Sequence, residues 1–259
     1  MTTAEATLLP KEHGAYGQMA VPLVTATAVS GPSPLAVAIV AGFLAHEPLL
    51  VLLGARGTRA KREAGSRAAR WLTALGVCVG GAGLLALMQT PPELRWTFLL
   101  PLAPAVTLAR EVWRQRPKST TAELSAAAAF SLAAVPTVTS TGAPMATALS
   151  VALPFLVVFA AATLAVRGVM RGAREAGDPT AIIRLRYAPV FTALGGCTAL
   201  ALAAQATWLP WSASAAALPG AAVAAGVALA PPHPRQVKRL GWLIVGASLT
   251  ASAVLVMMG

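Results

Sequence analysis

Residues 33–53, SPLAVAIVAGFLAHEPLLVLL, form an apolar run that ends at the basic stretch GARGTRAKR, residues 54–62. A helix needs about 20 mostly apolar residues to cross the hydrocarbon core of a bilayer. The run therefore predicts a membrane-spanning helix whose one end is held at the membrane boundary by cations. His46 and Glu47 interrupt this run, and ionisable residues are rare inside membrane-spanning helices.

The composition indicates that the whole protein, and not only this helix, lies in a membrane. Of the 259 residues, 56% are hydrophobic and 11% are charged, whereas soluble domains carry about 25% charged residues. A chain this apolar is not a disordered protein. Cys78 and Cys197 both lie in apolar runs, which excludes a disulfide scaffold. The class that remains is a polytopic membrane protein.

The apolar runs predict an all-α bundle of about nine transmembrane helices in a single integral-membrane domain, residues 1–259. Charge clusters separate the runs and define their ends. The predicted spans are residues 14–30, 33–53, 71–89, 94–110, 122–141, 145–166, 187–206, 208–230 and 241–258.

The positive charges predict the orientation of these spans. Nine alternating helices place 19 of the 20 Lys and Arg residues on one side, with only Arg95 on the other. Because cytoplasmic loops are enriched in Lys and Arg, we expect a cytoplasmic (inner) membrane protein with its N-terminus inside and its C-terminus outside. The net charge of +11 then follows from topology, so membrane lipids are expected partners and nucleic acid is not. The sequence predicts no particular oligomeric state.

The sequence also contains an internal repeat. Residues 20–25, AVPLVT, resemble residues 134–139, AVPTVT, and residues 62–65, REAG, recur as residues 174–177. Two further matches follow in the same order at offsets of about 120 residues. An even number of spans per unit gives both units the same orientation. We therefore expect a parallel 4+4 arrangement, with repeat one at about 12–118, repeat two at about 119–239 and a ninth helix at about 240–259.

His46 and Glu47 are the candidate catalytic residues. Charged groups in a span usually face the bundle interior or a wet cavity, where they mark functional pathways. Pro48 removes a backbone donor beside them and frees a carbonyl. The alternative is that Glu47 is paired or protonated and only holds helices together.

A second polar group stands at the entrance to the first span, in the sequence KEHGAYGQ, residues 11–18. We expect His13, Tyr16 and Gln18 to line a polar, substrate-binding entry. For Tyr16, an interfacial anchor at the level of the lipid headgroups is an equally good interpretation.

Two Arg-rich stretches, residues 56–67 and 167–178, are expected to be matching loops on the same side of the membrane. Guanidinium groups suit phosphate and carboxylate groups, so these loops could hold an anionic head group. The alternative is simple anchoring to anionic lipid. The substrate-binding candidates in these loops are Arg56, Arg59, Arg171, Arg174 and Asp178.

The N-terminal sequence PKEHGAY, residues 10–16, followed by AVPL, residues 20–23, resembles the YwiC-like membrane protein family. In that family a Lys-x-His-Gly-Ala-aromatic stretch precedes a proline in the first helix. The basic stretch KRLGW, residues 238–242, is similar to the family's C-terminal pattern. The resemblance implies a multi-pass membrane protein and does not itself imply a reaction.

More distantly, the chain is similar to the UbiA superfamily of intramembrane prenyltransferases. Those proteins have nine helices, and Asp-rich motifs after helices 2 and 6 hold Mg²⁺ against a prenyl diphosphate. The corresponding stretches here contain Glu47, Glu63, Glu175 and Asp178 among many arginines, so the Asp-rich motifs are absent. The cofactor therefore stays unknown, with Mg²⁺ one option.

Three functions remain open from the sequence, and it does not decide whether the protein is an enzyme. The UbiA resemblance implies a lipid or prenyl transferase, or a degenerate relative, acting on an isoprenoid substrate. The alternative is a transporter or exporter of a small anionic or amphipathic solute, which is based on the same repeat and on the polar residues near the membrane midplane. The third function is a non-catalytic scaffold, which His46 and Glu47 disfavour.

Overall fold

The computed structural model of the chain describes residues 8–10, 13–116, 118–172 and 179–258. Every regular element within these ranges is helical, which confirms the predicted all-α bundle. Short 3₁₀ helices, Pro92–Phe98 and Pro234–Gln236, precede the fourth and ninth α-helices. The α-helices are α1 (His13–Ser30), α2 (Pro34–Leu52), α3 (Thr58–Gln89), α4 (Leu99–Trp113), α5 (Thr120–Thr139), α6 (Met145–Gly172), α7 (Pro179–Gln205), α8 (Trp211–Leu229) and α9 (Val237–Met258).

Each of the nine predicted spans corresponds to one of these helices, and within the described ranges seven of them are long and apolar enough to cross a membrane. The other two are α1 and α4. The first turns of α1 carry polar residues, including Tyr16 and Gln18. Helix α4 has 15 residues and gains length only from the 3₁₀ helix before it. The protein is therefore a multi-pass helical bundle.

The prediction that residues 56–67 form a loop was wrong. Helix α3 begins at Thr58 and runs for 32 residues, so most of the basic stretch is helical. Lys, Arg, Glu and Ala are strong helix formers. Arg59 and Glu63 form an i,i+4 ion pair that supports this first turn. The first part of the second Arg-rich stretch, residues 167–172, is also helical, because α6 continues to Gly172. Residues 173–178 lie outside the described part of the chain.

The centre of the bundle is α6, which packs against α1, α5, α7, α8 and α9. Its fully buried Phe155 and Phe159 rings stack at 5.7 Å between centroids. Small residues allow the neighbouring helices to approach closely. A Cβ atom on Gly220 of α8 would overlap the side chain of Val158 of α6. We call α1 and α4–α9 the body, since α4 packs on α5.

Helices α2 and α3 stand apart from this body as a hairpin, joined by residues 53–57. Helix α3 packs chiefly on α2, and α2 touches α1 and α5 only sparsely. At the end of the hairpin away from this corner, the hydroxyls of Ser33 and Ser140 are hydrogen-bonded at 2.6 Å. Phe98 also packs against the hairpin at that end. The hairpin is therefore attached at its far end and has little packing along its length.

Alternation of the helices places the described Lys and Arg residues, except Arg95, at one end of the bundle, which we call the basic end. All six tryptophans are exposed. Tryptophan is enriched at both membrane–water interfaces. Trp71, Trp113 and Trp242 lie towards the basic end, and Trp96, Trp208 and Trp211 lie at the opposite end. The tryptophans thus form two belts.

Two sequence-based predictions stay predictions: the side of the membrane that the basic end faces, and the 4+4 repeat. Its matching prolines, Pro22 and Pro136, lie inside α1 and α5, which pack on each other.

Candidate functional site

The candidate site begins on the inward face of α2. Phe43 and Glu47 are one helical turn apart, and both residues are buried. A proline at the first position and the Ser33 side chain, which accepts a hydrogen bond from the amide of Leu35, start this helix. The predicted His46 is half-buried beside Glu47. The sequence placed both residues inside a helix, and the structure confirms that Glu47 is buried.

The corner after α2 turns the chain back towards Glu47. Gly54 has φ +77° and Gly57 has φ +93°, a region that favours glycine because it has no Cβ atom. Arg56 lies between these two glycines. The sequence GARG therefore directs the Arg56 side chain back along α2 instead of away from the bundle.

Arg56 and Glu47 form a two-point ion pair. The Arg56 Nε atom donates to Glu47 Oε1 at 2.8 Å, and its Nη2 atom donates to Oε2 at 2.6 Å. This fork geometry is the strongest that arginine makes with a carboxylate. The Arg56 side chain is 32% exposed, whereas that of Glu47 is 2% exposed. A buried carboxylate is thus neutralised by a cation that still reaches the surface.

An aromatic cluster lies one turn deeper than this pair. The Phe43 ring meets Tyr16 of α1 edge-on at 4.8 Å and Phe130 of α5 at 5.8 Å between centroids. These contacts join the hairpin to the body beside the ion pair. Phe43 and Phe130 were not among the predicted site residues, although the four-residue spacing of Phe43 from Glu47 indicates a shared helix face.

Residues 8–10, which we call the N-terminal segment, cover the corner of the hairpin. The Tyr16 hydroxyl donates a hydrogen bond to the carbonyl oxygen of Pro10 at 3.1 Å. Leu8 is buried and packs with Val51, Ala64 and Ala68 at the end of the hairpin. Tyr16 therefore holds this segment in place and also contacts Phe43.

The other predicted binding residues have different surroundings. Gln18 is half-buried on α1. Arg59 is 77% exposed and its Nε atom donates to Glu63 at 2.7 Å, so it faces away from the buried pair. The side chains of His13 and Arg171, and all of Arg174 and Asp178, lie outside the described atoms. Their predicted role in binding stays a prediction.

A second ion pair ties α5 to α6 at the same end of the bundle. Arg167 donates from Nε to Glu123 Oε2 at 2.7 Å and also to the backbone carbonyl of Lys118. Unlike Glu47, Glu123 is substantially exposed. This pair joins two helices of the body, whereas both members of the buried Arg56–Glu47 pair belong to the hairpin.

A metal ion in a protein is held by several carboxylate, imidazole or thiolate ligands that lie close together. Among the described residues, no three His, Cys, Asp or Glu side chains come close enough together to hold an ion. Glu175 and Asp178 of the second acidic stretch lie outside the described ranges.

Comparison with known proteins gives one match. A family model described as YwiC-like protein matches residues 9–138, which is half of the chain. The match begins one residue after Leu8 and covers α1, the hairpin, α4 and nearly all of α5, including Glu47, Arg56 and the aromatic cluster. No curated protein and no solved structure matches the chain.

Proposed function

The chain belongs to the YwiC-like protein family, and we propose that it transports a small anionic or amphipathic solute, using Arg56 as the anion-binding group. The observation that carries this proposal is the ion pair between buried Glu47 and partly exposed Arg56. An anion entering from the basic end meets a guanidinium whose present partner is another anion. The solute carboxylate or phosphate therefore competes with Glu47 for the same fork of donors.

Competition at Arg56 has a consequence for Glu47. A buried charge that loses its partner costs about 3–5 kcal/mol. When a solute takes Arg56, Glu47 therefore requires a proton or another cation in exchange. This links movement of the anion to uptake of a proton. It also gives the buried carboxylate a role that a simple structural ion pair lacks.

The hairpin provides a route for the movement. Its far end is held by the Ser33–Ser140 hydrogen bond. Between that end and the corner that carries Arg56, Phe43 contacts Tyr16 and Phe130 of the body, and α2 otherwise touches the body only sparsely. Rocking of one helical unit against another around a central site is how many secondary transporters work. We call the contact of Phe43 with Tyr16 and Phe130 the seam between hairpin and body. We infer that the hairpin rocks about its far end and opens this seam.

Uptake into liposomes tests the proposal. The full chain is reconstituted and offered isotopically labelled inorganic phosphate, citrate and geranyl phosphate, which span small and amphipathic anions. We expect at least one of these to accumulate above protein-free liposomes. Glu93→Gln combined with Arg62→Gln, which removes one exposed carboxylate and one exposed cation outside the site, serves as the charge-matched control and should retain uptake. Glu47→Gln combined with Arg56→Gln should fold and lose uptake.

The same liposomes separate transport from the transferase hypothesis. After incubation with geranyl diphosphate, their lipids and the surrounding solution are analysed by mass spectrometry. A covalently prenylated product that depends on the protein would replace the transporter with a transferase. No uptake of any of the three anions would contradict the proposal as well.

A further inference from the structure

An open groove of about 470 Å³ runs along one flank of α3 near the basic end. It is lined by Arg67, Arg70, Trp71, Ala74 and Leu75. These positions follow the i, i+3, i+4, i+7 spacing of a single helix face. The residues that α3 turns towards α2 include Ala68 and Val79. Leu75 lies seven residues after Ala68, at the border of that stripe, so the groove adjoins the contact with α2 and opens away from it.

The groove begins near the level at which α2 ends and runs from there towards the middle of the bundle. Val51 of α2 packs with Ala68, and Gly42 lies against Val79. Because the two helices are antiparallel, Trp71 stands roughly level with Glu47. That level is about 8 Å from the end of α2, at 1.5 Å per residue. Trp71 is also one of the three tryptophans in the belt at the basic end.

The lining changes from cationic to apolar along the groove. Arg67 and the exposed Arg70 stand on the outer side, Trp71 lies between, and Ala74 and Leu75 continue towards the bilayer centre. Two guanidinium groups fit a phosphate, and small apolar residues one turn deeper fit an acyl chain. An anionic phospholipid presents this order of chemistry, with its phosphate at the interface and its tails inside.

We propose that this groove is a binding site for an anionic phospholipid, with the phosphate on Arg67 and Arg70 and an acyl chain beside Trp71 and Leu75. The site is separate from the Arg56–Glu47 pair, which faces the body. Binding there places a lipid against the outer side of the hairpin. The bilayer supplies this ligand at high local concentration, so the groove is filled under working conditions.

Quenching of Trp71 by brominated lipid tests the site. The full chain is placed in phosphatidylcholine nanodiscs with increasing amounts of phosphatidylglycerol brominated on its tails. The Trp71 signal is the difference between the wild-type and Trp71→Phe proteins. We expect strong quenching by brominated phosphatidylglycerol and weak quenching by brominated phosphatidylcholine. Each Arg contributes about fivefold to affinity for anionic lipid, so Arg67→Gln with Arg70→Gln should raise the half-quenching concentration about 25-fold.

A charge-matched double variant separates a specific site from general attraction. Arg62→Gln with Arg110→Gln removes two exposed cations outside the groove and should leave quenching close to wild type. Equal weakening by both double variants would overturn the proposal, as would equal quenching by the two lipids. A stable dimer in which Trp71 is shielded from both lipids would assign the groove to a second copy of the chain. Native mass spectrometry in the same lipids gives an independent count of retained phosphatidylglycerol.

Discussion

Arg56→Gln should destabilise the protein by about 3–5 kcal/mol, whereas Glu47→Gln should cost considerably less. The asymmetry follows from the burial of the two partners. Removing Arg56 leaves a carboxylate that is 2% exposed without its cation, whereas removing the Glu47 charge leaves a guanidinium that is 32% exposed and that water can solvate. An uncompensated buried charge is the costly member of a broken pair.

The double variant Glu47→Gln/Arg56→Gln should recover most of the stability lost in Arg56→Gln. It removes both charges together and leaves polar side chains that can hydrogen-bond. Thermal unfolding in detergent, followed by loss of the monodisperse peak in size-exclusion chromatography, compares the four proteins directly. If Glu47→Gln were the more damaging single change, the assignment of the buried partner would be wrong. Additive losses in the double variant would show that the two groups do not interact.

Phe43→Ala should loosen the hairpin from the body. Truncation of a buried phenylalanine costs about 3–5 kcal/mol in soluble proteins, and we expect about 3 kcal/mol here because lipid chains partly fill the space. The larger effect should be on geometry, since Phe43 bridges Tyr16 and Phe130 across the seam. The chain carries one free cysteine on each side, Cys78 in α3 and Cys197 in α7. Nitroxide labels on these two residues report the distance between hairpin and body.

Double electron–electron resonance on this labelled pair should give a broader distance distribution in Phe43→Ala than in the wild type. Phe191→Ala provides the matched control, because Phe191 of α7 is 72% exposed and lies on the outer surface of the body, away from the seam. Its distribution should match the wild type. An unchanged distribution in Phe43→Ala would mean that other contacts hold the hairpin and that the seam does not open beside this ring.

The sequence predicted the helices well because apolar length determines where a chain can cross a bilayer. The predicted span 33–53 became Pro34–Leu52, and the predicted span 145–166 became the first part of Met145–Gly172. The errors share one cause. Charges mark where a helix leaves the membrane, not where it ends, so the basic start of α3 was assigned to a loop.

The sequence singled out individual residues of the candidate site, but it did not predict the contacts between them. Glu47 and Arg56 were both singled out, yet assigned separate roles. Their pairing depends on the positive φ angles of Gly54 and Gly57, which the sequence permits without requiring. The contact of Leu8 with the hairpin could not be predicted either, because it joins distant parts of the chain through shape alone.

Proton movement coupled to anion uptake tests the central claim most directly. Liposomes containing the protein are loaded with the pH-sensitive dye pyranine, and an anion taken up by the wild type is added outside. The account predicts that the lumen acidifies as the anion enters, in both the wild-type and Glu93→Gln proteins, and that Glu47→Gln abolishes this acidification. Anion uptake without acidification in the wild type, or acidification at the wild-type rate in Glu47→Gln, would contradict it.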